Sequence, residues 1–125
     1  MPTWVTQHLP DSQVRDRLSE LVILGPTAIA VIAARYGNSG FVVDSVPLAL
    51  FTAARFGHDP LETTLRKIIT TGGDADTNAS LTGQLIAASR GEDCLPANLL
   101  MQLSLSADEL TIIERFANLR TASRT

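Results

Sequence analysis

Glycine and proline cut this chain into segments of helical length. Gly25-Pro26, Gly37-Asn38-Ser39-Gly40, Gly57, Gly72-Gly73, Gly91 and Pro96 are the breaks, and between them apolar residues recur three and four apart. The spacing predicts a first helix over 13–24, capped by Asp11 or Ser12, with Val14, Leu18, Leu21 and Val22 on one stripe. Pro26 suits the first turn of a second helix running to Tyr36. Phe41-Val42-Val43 reads as an extended lead-in to a third helix, capped by Asp44 or Ser45, that continues through Pro47 to Phe56. Gly57 reads as a left-handed stop. Asp59 caps the next helix, with Pro60 first and Leu61, Leu65, Ile68 and Ile69 buried. A further helix runs over 77–89, a short one over 96–103, and a last one opens on the capping box of Ser106 and Glu109. Residues 1–10 read as a loose lead-in and 121–125 as a frayed tail. The expectation is one all-α domain, residues 1–125, a bundle of six or seven helices.

Composition narrows the class. The chain has 125 residues, of which 45% are hydrophobic and only 18% charged, with a mean hydropathy of +0.15. A disordered chain shows the opposite balance. Net charge is -3, and no lysine or arginine cluster tracks phosphates, so no nucleic-acid partner is expected. Arg55, Arg66 and Arg90 are scattered as on a solvated face. The most apolar run, residues 21–34, is interrupted at Gly25-Pro26 and too short to span a bilayer, so no membrane partner is expected either. Residues 1–10 lack the basic head and apolar core of a secretory leader. Cys94 is the only cysteine, so no intrachain disulfide forms and a reducing, cytoplasmic setting is the natural reading.

The chemistry concentrates in Gly72-Gly73-Asp74-Ala75-Asp76-Thr77-Asn78. Two carboxylates one residue apart follow a loosened backbone. In an extended loop, side chains two apart share a face, so both can meet one hard cation. Thr77 and Asn78 add neutral oxygens or orient the carboxylates. The same residues also suit an ordinary helix start, with Asp76 as cap and Asp74 near the positive end of the dipole. A calcium EF-hand does not fit, because Ala79 and Leu85 stand where the loop needs glycine and a bidentate glutamate. The other candidates are weaker. His58 follows a helix stop and suits helix-end carbonyls, and His8 lies in the lead-in. Ser39 and Ser45 lack a histidine partner in sequence, Cys94 is flanked by Asp93, and Trp4 and Tyr36 read as packing residues.

This segment, continuing through Gly83 and Gln84 to Gly91, resembles the C-terminal signature of the ADP-ribosylglycohydrolase family. The run Gly40-Phe41-Val42-Val43-Asp44-Ser45-Val46-Pro47-Leu48 resembles a second block of that family, a Gly-aromatic-Val-Val segment leading into a helix. The helix over 59–71, Leu95-Pro96 and the closing helix also match in order and separation, so the resemblance covers about residues 25–120. It implies an all-α bundle with two magnesium ions, or manganese in their place, in a central cleft. It implies Asp74, Asp76 and Thr77 as metal ligands, with Asp76 bridging, and Phe41 lining the ADP-ribose pocket. It also implies hydrolysis of the glycosidic bond between ADP-ribose and a protein side chain.

Two departures qualify it. Ala75 stands where the family often has threonine. Family members are also considerably longer, with a Gly-Asp segment, an acidic metal-binding cluster and the acid/base carboxylate in their N-terminal half; nothing in residues 1–37 resembles these. The chain is therefore expected to correspond to the C-terminal portion, with the catalytic residues in a missing half and a second chain or homo-oligomer completing the bundle. Two divalent ions take about twelve ligand positions, more than Asp74, Asp76 and Thr77 supply. The alternatives are a non-catalytic remnant that binds ADP-ribose or metal, and a helical oligomerisation domain in which Asp76 is only a cap.

Overall fold

The computed structural model describes residues 3–122. The expectations for residues 1–2 of the lead-in and 123–125 of the tail lie outside the described residues. Eight α-helices and no strand occur among the described residues: α1 (Thr3–His8), α2 (Gln13–Ile23), α3 (Ile29–Tyr36), α4 (Val42–Phe56), α5 (Leu61–Ile69), α6 (Ala75–Arg90), α7 (Ala97–Met101) and α8 (Ala107–Ala122). The all-α reading holds. The eighth helix is α1, inside the segment expected to be loose. There the His8 ring stacks on Trp4 at 4.2 Å between centroids, and His8 Nδ1 lies 2.8 Å from the Trp4 carbonyl oxygen.

Several helix ends follow different physics from the expected one. Ser12 caps α2, accepting from the Arg15 N–H at 3.2 Å. α3 begins at Ile29 rather than at Pro26, because Ala28 is still extended (ψ 144°). α4 starts at Val42, with the Phe41 carbonyl accepting from the N–H groups of Asp44 and Ser45. The extended lead-in therefore ends at Phe41, and neither Asp44 nor Ser45 is the cap. Gly57 is right-handed, at φ -65°. The expected left-handed stop is replaced by Arg90 of α6, whose Nη1 donates to the carbonyls of Gly57 (3.0 Å) and Asp59 (2.8 Å). Arg90 thus closes the α4–α5 connection and is not a free solvated cation. Pro60 precedes α5, and Asp59 pairs with Lys67 at 3.4 Å instead of capping.

The core forms where α4 meets its neighbours. Leu21, Ile29, Ile32, Ala33, Leu48, Phe51 and Ile68 make one buried cluster from α2, α3, α4 and α5. Each large apolar side chain there contributes roughly 1.5–3 kcal/mol by leaving water. α6 lies alongside α4 and sends Asn78, Thr82 and Ile86 inward. Their N-termini meet where Gly40 touches Asp74, and their far ends meet where Gly57 faces Ile86. The two helices therefore run parallel and present both N-termini at one end of the molecule. By contrast, α8 is exposed along its described length.

Candidate functional site

That shared end is assembled from two loops. Gly72 and Gly73 follow α5 with φ of 75° and 67°, a left-handed pair that few side chains tolerate. They turn the chain so that the Asp74 N–H donates to the Asn38 carbonyl at 3.0 Å. The Asn38 side chain in turn donates to the Thr71 carbonyl at 2.8 Å. A methyl group on Gly73 would collide with Asn38, and one on Gly40 would collide with the Asp74 carboxylate. Close backbone approach at these two glycines is therefore what seats the Asp74 carboxylate against residues 38–40.

Asp74 is the N-cap of α6, its Oδ1 accepting from the Thr77 N–H at 3.4 Å. The cap is thus two residues earlier than expected, and Asp76 lies inside the helix. The pair nevertheless comes together. The Asp76 carboxyl is held below its ordinary value of 3.8, first by a hydrogen bond with the Asp74 side chain, then by the backbone N–H groups of Thr77 and of Asp76 itself. Asp76 is ionised at neutral pH and lies exposed. Asp76, Thr77, Ser80 and Leu81 line an open depression of about 380 Å³.

The other side chains divide into those that face this end and those that do not. Phe41 is 61% exposed beside Gly40. The Ser39 hydroxyl donates to Asp44 Oδ2 at 2.6 Å and accepts from the Phe41 N–H, while Gly37 leaves no room for a methyl group against the Asp44 carboxylate. Asp44 thus braces loop 37–41 and does not join the Asp74–Asp76 pair. Asn78 is fully buried and donates to the Asn38 carbonyl at 2.7 Å, so its side chain is turned away from the open depression. His58 is exposed, and the carbonyls it was expected to satisfy are taken by Arg90. Ser45 is buried, and Cys94 is half-buried after α6.

The donors suit a hard cation in kind: two carboxylates, one held ionised, and a hydroxyl beside them. They do not suffice in number. No group of three or more His, Cys, Asp or Glu side chains able to hold a metal occurs among the described residues.

The family model for ADP-ribosylglycohydrolase matches residues 1–125. The chain belongs to the ADP-ribosylglycohydrolase family. The match extends the resemblance read over residues 25–120 to the whole chain. This ADP-ribosylglycohydrolase family is all-α, uses metal ions and acts on ADP-ribosylated substrates. No curated protein and no solved structure matches the chain. No helix among the described residues is long and apolar enough to cross a membrane.

Sequence reasoning missed Asn38, Gly40 and the bracing role of Asp44. Gly40 and Asn38 carried a signal, since both lie in the glycine turn ahead of α4. Their link to Asp74 spans more than thirty positions, and no local pattern encodes it.

Proposed function

We propose that this chain supplies the Asp74–Asp76–Thr77 corner of a magnesium-dependent hydrolase that cleaves the glycosidic bond between ADP-ribose and a protein side chain. The observation that carries the reading is the placing of two carboxyl groups at the start of α6, Asp74 as its N-cap seated against Gly40 and Asp76 exposed in the first turn beside Thr77. A helix start needs only one such oxygen. A bound divalent ion would orient the ribose hydroxyls and an attacking water and stabilise negative charge as the bond breaks. In this reading Asp74 and Asp76 offer carboxylate oxygens, and the Thr77 hydroxyl adds a neutral one. Manganese would satisfy the same donors. Gly40 fixes where the Asp74 carboxylate points, and the exposed Phe41 ring gives an apolar wall for ADP-ribose.

The remaining ligands and the acid/base carboxylate come, in this proposal, from a second chain or another segment that covers this end of the bundle. The single Cys94 accords with a reducing, cytoplasmic setting. A second reading, binding of ADP-ribose or metal without turnover, draws on the same shortage of carboxylates among the described residues.

One experiment separates them. The chain is titrated with Mg2+, Mn2+ and ADP-ribose by calorimetry, and hydrolysis of an ADP-ribosylated protein is then followed with and without a candidate partner carrying an acidic cluster. Metal binding that Asp76→Asn abolishes, with turnover only in the mixture, supports the hydrolase. Binding with no turnover in any mixture supports the second reading. No metal binding alone or with the partner sinks both, and leaves Asp76 in a merely local role.

A further inference from the structure

We propose that Asn78 is a positioning residue for Asp74, held in the core for the sake of the site and not for the stability of the fold. Its side chain is fully buried. The Nδ2 group donates to the Asn38 carbonyl at 2.7 Å, the same oxygen that accepts the Asp74 N–H at 3.0 Å. One carbonyl thus ties together the start of α6, its inner face and the loop that carries Gly40 against the Asp74 carboxylate. The other end of the amide is unsatisfied: Asn78 Oδ1 is buried with no hydrogen-bond partner.

A buried, unpartnered amide oxygen destabilises a fold, and an apolar residue of similar volume would remove the cost. Helix formation does not require the amide. Asp74 already caps α6, and the Asn78 N–H bonds the Asp74 carbonyl through the backbone whatever the side chain. What the amide adds is a second hydrogen bond on the Asn38 carbonyl, beside that of the Asp74 N–H, and through residues 38–40 a firmer seat for the Asp74 carboxylate. Local rules broken without a gain in stability mark sites kept for function. The proposal rests on the reading of Asp74 as a ligand for its purpose, but its geometry is testable without metal.

The test compares the full chain with Asn78→Leu, and with Thr52→Val as a control. Thr52 Oγ1 is the other buried side-chain oxygen or nitrogen without a partner among the described residues, and it lies on α4 with no hydrogen bond to loop 38–40. Three quantities are read: thermal midpoint, amide exchange at Asp74 by NMR, and Mn2+ affinity by electron paramagnetic resonance. The expected result is that Asn78→Leu keeps or raises the midpoint, speeds Asp74 exchange relative to Thr52→Val, and weakens Mn2+ about tenfold or more, as loss of a group that orients a ligand does. Exchange at Asp74 no faster than in the control overturns the proposal, whatever happens to the midpoint. If leucine does not fit and the variant fails to fold, Asn78→Ala is small enough to be accommodated and is judged by the same exchange criterion. If the parent chain binds no Mn2+ alone or with the partner, the ligand reading of Asp74 fails; either way, exchange at Asp74 decides whether Asn78 sets its position.

Discussion

Helices α6 and α8 begin alike and end up doing different work. Each has 16 residues, and each holds a carboxyl in its first turn below the ordinary range, Asp76 in one and Glu109 in the other. At α8 the cause is local and complete. Ser106 donates its N–H (2.8 Å) and hydroxyl (2.9 Å) to Glu109 Oε2 and accepts the Glu109 N–H in return, a closed capping box. At α6 the first cause is another carboxyl, that of Asp74, which is itself pressed against Gly40 from a distant loop. A helix start needs only one capping oxygen, so the second carboxyl adds nothing to the cap itself. The difference separates a helix start that serves only its helix from one built around a tertiary contact.

The comparison breaks most severely at Gly40. A methyl group there collides with the Asp74 carboxylate, so Gly40→Ala must move either the carboxylate or the loop. Overpacking of this kind costs about 1–3 kcal/mol, read by chemical denaturation. The larger expected effect is on the site: Mn2+ affinity falls by roughly tenfold or more, in the range seen when groups supporting a metal ligand are lost. If affinity is unchanged while stability drops, the α6 start is no more than a second version of the α8 start.

What was legible in the sequence follows the range of the forces involved. The box of Ser106 and Glu109, the cap at Ser12 and the stop at Gly91 are each made by residues within a few positions of one another, and all three are legible in the chain, the cap as one of the two neighbours Asp11 and Ser12. The stop at Gly57 is not, because Arg90 supplies it from across the bundle. Asp74 and Asp76 are legible as an oxygen pair, yet the order of their roles is not. Which of them caps α6 depends on where Asn38 and the left-handed Gly72-Gly73 turn place the backbone. The brace of Asn38 and Asn78 lies 40 positions apart along the chain, beyond any pattern of period two or 3.6.

Acid sharpens the same contrast with a smaller effect. A carboxyl whose folded value is depressed stabilises the fold above its unfolded value, and that contribution is lost as pH falls through the folded value. For Asp76 the loss begins near its ordinary value of 3.8 and is complete below the depressed one. Replacing Asp74 with alanine removes the side-chain hydrogen bond that is the first cause of the shift. In Asp74→Ala the Asp76 carboxyl, followed by carbon-13 NMR, therefore titrates closer to 3.8, and less stability is lost across the acid limb. A titration identical to the parent's would show that backbone N–H groups alone hold Asp76, as Ser106 alone holds Glu109.

The smallest effect is expected at Ser106, and its size carries the argument. Ser106→Ala removes the hydroxyl from both directions of the box, so Glu109 titrates closer to its ordinary value of 4.5. Loss of such a cap destabilises a helix by about 1 kcal/mol. Because α8 is exposed along its described length, that loss stays local. Circular dichroism should show fraying of α8, while the melting of the core around Leu48, Phe51 and Ile68, and the Mn2+ affinity of the α6 start, stay at parent values. The apolar residues Ile112, Phe116 and Leu119 are all more than 60% exposed, and a helix with such a face gains most of its stability by burying it. A fall in the core's midpoint on Ser106→Ala would therefore show that α8 is docked in solution, and that the two helix starts are coupled through the bundle.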